Sequence, residues 1–209
     1  MARGANSIKH ATSFAAVLLA SVFTFCSLAR AQAGPLPGRP AGSPTKPRLV
    51  VLLVADQMRA DYIEKFRAQW TGGLKRLVAE GAWFRDAAYP YAATETCVGH
   101  ATISTGSFPS VHGMIANEWW DREAQKHVTC TADSRVKNIG YAGASVNGGD
   151  SAAKLLVPAF ADELKFQSGA GTRVVTISLK ARAAIPLGGR QGDAVTWFDP
   201  EGEIGRAHV

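Results

Sequence analysis

Apolar and polar positions alternate in blocks that predict strands and helices in turn. The run RLVVLLVAD, residues 48–56, is continuously apolar until it closes on Asp56, the pattern of a strand buried on both faces of a parallel sheet. Helical material follows, broken near Thr71-Gly72-Gly73. There LKRLVAE places Leu74, Leu77 and Val78 on one face, with Gly81 as its stop. AWFRDAAYPY predicts a strand running into a turn at Pro90, with Trp83, Phe84, Tyr89 and Tyr91 in the core. NEWWDREAQKHVTC predicts a hairpin with a polar tip, in which Trp119 and Trp120 either pack or line a pocket. SAAKLLVPAFADELKFQ reads as a helix kinked near Pro158, and TRVVTISLK as a second buried strand ending at Lys180. No internal repeat is visible.

The two ends follow other rules. Arg3 and Lys9, an apolar run from Phe14 to Phe25, and Ala31-Gln32-Ala33 read as a secretory leader spanning residues 1–33, cleaved before Gly34. The run is short for a membrane span, and Phe25 stands where a lipoprotein signal needs a small residue before Cys26, so export without a membrane anchor is expected. GPLPGRPAGSPTKP, residues 34–47, is a Pro/Gly-rich linker, and residues 48–202 form the globular part. The final EIGRAHV matches the translation of a common sequencing-adapter oligonucleotide. Residues 203–209 are therefore expected to be an adapter scar, the natural frame to continue past Gly202, and His208 to be no ligand.

Composition narrows the function classes. With 209 residues, 46% hydrophobic and 9% aromatic, the chain has a core's worth of apolar side chains and no disordered signature. Losing Arg3, Lys9 and Arg30 with the leader lowers the net charge from +6 to +3, so the basic balance does not point to a nucleic-acid partner. Cys97 and Cys130 remain, and an oxidising compartment permits a disulfide between them; two buried thiols are the other reading.

Two places invite chemistry. Asp56 stands at the carboxyl end of a predicted strand, where open α/β sheets bind ligands, although an aspartate there is also an ordinary helix cap. In TETCVGHATISTG, residues 94–106, Thr94 and Thr96 stand at a helix start. Either could be a plain cap, or Thr96 could be a nucleophile beside free N–H groups suited to a phosphate. A threonine hydroxyl attacks only with help from a metal or a base.

ADQMR, TETCVGHATISTG and SFPSVHGMIANEWWD together resemble the alkaline phosphatase superfamily. The branch is the one that holds periplasmic threonine-nucleophile phosphatases and type I phosphodiesterase/nucleotide pyrophosphatases, and the likeness runs from about Leu49 to Phe198. It implies an α/β fold with a mostly parallel sheet between helices, incomplete in this chain. It also implies that Asp56 and Thr96 ligate one of two zinc ions (Zn2+), that Thr96 is phosphorylated, and that Asn117 holds a phosphoryl oxygen. His100 and His112 are read as structural hydrogen-bonders. Lys180 and Arg182 resemble the Lys-x-Arg of the monoesterases: two cations suit a dianion with three free oxygens, and extended backbone would aim both the same way. A solvated basic loop is the alternative.

The expected activity is that of an exported or periplasmic phosphomonoesterase acting on phosphate esters. The alternatives are a phosphodiesterase of the same superfamily and a non-catalytic phosphate-binding fragment. The family's other zinc ligands, two aspartates and three histidines, lie downstream of the region present. A zinc site takes three or four protein ligands, so this chain alone is expected to be inactive.

Overall fold

The structure is a computed structural model that describes residues 47–140, 148–169 and 171–198, and the backbone of 204–207. The leader and the linker as far as Lys46 lie outside the described residues, as do Glu203, His208 and Val209. The chain divides into two units, Met1–Val51 and Leu52–Val209.

In the first unit, residues 47–51 form no strand, and Leu49 and Val51 are exposed. The second unit opens the same way: residues 52–55 are unpaired, and Leu53 is 83% exposed. The predicted strand over 48–56 is therefore absent. A buried strand needs neighbours that take up its N–H and C=O groups, and no described strand lies beside this one. AWFRDAAYPY is likewise irregular; Phe84 is 81% exposed and Trp83 and Tyr89 are 37% and 44% exposed rather than buried, so that predicted strand and most of its core assignment are corrected.

In the second unit α1 (Tyr62–Lys65) and α2 (Gly73–Glu80) precede α3 (Thr96–Thr105), around which the core gathers, and α4 (Pro109–His112) follows it. Cys97 and Ala101 of α3 join Met114, Cys130, Ala152, Leu155, Ala184, Ile185, Val195 and Trp197 in one buried cluster. The small side chains of α3 let α6 (Ala181–Gly188) lie directly against it. The predicted hairpin forms: β1 (Glu118–Asp121) pairs antiparallel with β2 (Lys126–Thr129), Glu118 opposite Thr129. Asp121 accepts the N–H groups of Glu123 and Ala124 at 2.9 Å, which closes the polar tip.

A four-stranded sheet runs β3 (Asn138–Ile139), β6 (Ile204–Ala207), β5 (Ala194–Phe198), β4 (Val175–Ser178). β4 and β5 are parallel and joined by α6; the two pairings of β6 are antiparallel, a main-chain ladder that any residue but proline can make. The second predicted strand is thus real but lies at a sheet edge, with Val175, Ile177 and Leu179 exposed rather than buried. Pro158 precedes α5 (Phe160–Ser168) instead of kinking it. The buried Asp162 accepts the Ala159 N–H with one oxygen and the Gln191 N–H with the other.

Gly189, at φ +65, packs against that carboxylate so closely that a Cβ would lie 2.5 Å from Asp162 Oδ2. Gly189→Ala is expected to destabilise the protein by about 2 kcal/mol or more, from a strained φ and a displaced buried acid. A urea midpoint unchanged from wild type would show that this turn relaxes freely.

Candidate active site

The first turn of α3 is built by residues distant in sequence. Glu95 occupies the N-cap position in extended conformation and caps nothing with its own side chain. Thr96 is the first helical residue, and its hydroxyl donates to Asp56 Oδ2 at 3.1 Å. The cap comes from Asn117, whose Oδ1 accepts the Cys97 N–H at 2.9 Å. Glu95 in turn accepts the Asn117 N–H at 2.6 Å through Oε2. Gln57, at φ 59, turns the chain immediately after Asp56.

Thr96 is thus no cap, and Asp56 caps nothing; both point to one spot at the positive end of a ten-residue helix. Thr96 is buried and Asp56 exposed, so the spot opens outward on the carboxylate side. Two hard oxygens at hydrogen-bond distance suit a divalent cation in kind. Among the described residues no group of three or more His, Cys, Asp or Glu converges, so the pair fits part of a zinc site and no more.

Cys97 and Cys130 form a disulfide 33 positions apart, which settles the choice left open by the sequence. It fastens the second residue of α3 to the residue after β2, a constraint worth about 4 kcal/mol against the unfolded chain.

Lys180 and Arg182 lie at the start of α6. Lys180 is its extended, exposed N-cap, and its C=O accepts the N–H groups of Ala183 and Ala184. The helix begins at Ala181, so the expected extended geometry stops after Lys180, and no described hydrogen bond joins either cation to Asp56, Thr96 or Asn117. Arg182 is half-buried, and its Nε is a buried donor with no hydrogen-bond partner among the described residues. A buried N–H left unsatisfied costs about 1–3 kcal/mol, so Nε is a donor waiting for an acceptor.

Both motif histidines are held within the fold. His100 Nδ1 lies 2.6 Å from the Thr96 C=O and donates to it. His112 is fully buried; its Nδ1 accepts the Met114 N–H at 3.1 Å, which leaves Nε2–H to donate to Thr102 Oγ1 at 3.0 Å. Thr102 continues the chain to the Tyr91 hydroxyl at 2.6 Å. Trp119 is half-buried against the core with the Lys154 ammonium over its ring, whereas Trp120 is exposed, edge-on to His127. Sequence reading missed Glu95; an acid immediately before Thr96 was its only sign.

The family described as type I phosphodiesterase/nucleotide pyrophosphatase matches residues 50–204. The alkaline phosphatase PhoV of Synechococcus elongatus is 38% identical over 179 residues, covering 84% of this chain and 32% of that protein. A solved structure of wild-type alkaline phosphatase PafA superposes with a TM-score of 0.67 at 34% identity, over 72% of this chain and 29% of that one. A PafA variant substituted at one threonine, one asparagine, one lysine and one arginine matches equally, with TM-score 0.67 and 33% identity. The fold is therefore that of these phosphatases in part, and the chain spans about a third or less of the relatives' length.

Burial holds the His112 pKa below its ordinary value. The unfolded chain then takes up a proton that the folded state refuses, so the stability is fully present above the ordinary histidine pKa of about 6.5 and is lost as pH falls through it. The urea midpoint is expected to drop as the pH is lowered through about 6.5, and the drop to shrink in His112→Gln. An identical drop in that variant would place the titrating group elsewhere.

Proposed function

Since the chain belongs to the type I phosphodiesterase/nucleotide pyrophosphatase family, we propose that it is the amino-terminal part of an exported, zinc-dependent phosphomonoesterase of the alkaline phosphatase kind. The observation that carries this reading is the Thr96 hydroxyl donating to Asp56 at a helix N-terminus, with Asn117 fastened to the same turn. Three further features support it. The PhoV and PafA relatives are named alkaline phosphatases. The threonine and asparagine substituted in the PafA variant are 21 positions apart, as are Thr96 and Asn117, and its lysine and arginine are two apart, as are Lys180 and Arg182. The unpartnered Arg182 Nε suits an anionic oxygen.

Thr96 attacks phosphorus in line with the leaving group; the phosphorus–oxygen bond to that group breaks, and the group departs with its electron pair and acquires a proton. Water then attacks the phosphothreonine, the bond between phosphorus and the threonine oxygen breaks, inorganic phosphate leaves, and the threonine oxygen takes back the proton it gave up in the first step. Asp56 orients Thr96 and accepts its hydrogen bond. Asn117, Lys180 and Arg182 donate to the non-bridging oxygens, where fixed donors contribute most. Asp56 and Thr96 would hold a zinc ion, which when bound favours the ionised hydroxyl and offsets phosphoryl charge. The other ligands belong to a part of the protein beyond this chain.

Among the described residues no helix is long and apolar enough to cross a membrane. Export rests on the leader at 1–33, and delivers the protein to the periplasm or the medium. The family description also names diesterases, so a diesterase is the second reading.

In the full-length protein, Thr96→Ala should abolish the acid-stable phosphoenzyme formed from an aryl phosphate monoester; label retained in that variant would refute the nucleophile. Lys180→Ala should lower kcat/KM on monoesters by about 10²-fold while leaving diesters within about threefold. Equal losses on both substrates would favour the diesterase.

A further inference from the structure

Asn117 is clamped at every hydrogen-bonding atom except one. Its N–H donates to Glu95 Oε2 at 2.6 Å, its C=O accepts the Cys130 N–H at 2.9 Å, and its Oδ1 accepts the Cys97 N–H at 2.9 Å. The backbone donor on Cys97 demands an acceptor, so the side-chain oxygen must face it, and the carboxamide NH2 is turned the other way. Two of the three clamps are the amides of the two half-cystines, which are bonded to each other and fully buried.

We propose that the Cys97–Cys130 disulfide is a positioning element: it holds the helix start and the hairpin end one Asn117 apart, and so aims the Asn117 NH2 at the phosphoryl oxygen. The inference rests on the role proposed for Asn117, and it adds a cause for that residue's orientation. Without the covalent tie, the Asn117 C=O follows the hairpin through Cys130 while its carboxamide, like its N–H on Glu95, follows the start of α3 through Cys97. Any drift between the two elements then rotates the amide. Glu95 restrains only the Asn117 N–H and does not control that rotation. Thr96 keeps its own partner, Asp56, so the nucleophile is less affected than the amide.

The full-length protein carrying Cys97→Ala with Cys130→Ala tests this by two readouts. In side-chain amide NMR relaxation, the Asn117 NH2 order parameter is expected to fall from about 0.85 to below about 0.6. The backbone N–H of Val174, which donates to Asp193 Oδ2 at 2.8 Å and belongs to neither of the elements that the disulfide joins, should stay rigid. In kinetics on an aryl phosphate, the double variant should lose about tenfold in kcat/KM when Asn117 is present, and nothing further in an Asn117→Ala background. An Asn117 amide that stays ordered overturns the proposal. So does loss of order at both the Asn117 amide and the Val174 N–H, which marks a tie that holds the whole domain, and so does the same kinetic loss in both backgrounds. The NMR readout does not need turnover: an inactive protein with a mobile Asn117 amide upholds the positioning role and refutes the phosphatase reading instead.

Discussion

The first turn of α3 is the constraint on which the site depends. A helix start exposes N–H groups that need acceptors, and this one takes Oδ1 of Asn117 from the strand-leading segment of the hairpin. That single hydrogen bond brings residues 97 and 117 together, and the disulfide adds residue 130 to the same knot. Thr96 emerges beside it with its hydroxyl free for Asp56, because the cap it could have supplied is already made.

The core beneath explains why the turn is firm. Cys97 and Ala101 present little side chain, so α6 packs closely against α3, and Ala184 and Ile185 join Val195 and Trp197 in the same buried cluster. The start of α6, which carries Lys180 and Arg182, is thus attached to the helix that carries Thr96 through packing rather than through hydrogen bonds. His100 and His112 serve the same helix from within, one on the Thr96 carbonyl and one through Thr102. His112 uses both ring nitrogens, and His100 uses its Nδ1, on these internal partners.

Residues 49–53, Phe84, and the outer side chains of β4 are exposed, although each reads as a buried element. Their hydrophobicity is the sequence's statement about neighbours, and a strand buried on both faces requires pairing partners that the described residues do not supply.

Local chemistry was legible in the sequence. The hairpin is signalled by alternation around a polar tip, the end of α3 by Gly106, and β4 by a β-branched run, because each depends on neighbours in the chain. Asp56 and Thr96 could be singled out as reactive types at suggestive places, and the motif resemblance added Asn117 and tied the three together. Tertiary structure decided the rest. It made Thr96 the first helical residue and Asn117 the cap, it chose a disulfide over two thiols, it ended the strand before Arg182, and it left two apolar runs unpaired. Each of those outcomes depends on which distant group satisfies a given N–H, sulfur or apolar face, and spacing along one chain cannot specify a partner 20 or 33 residues away.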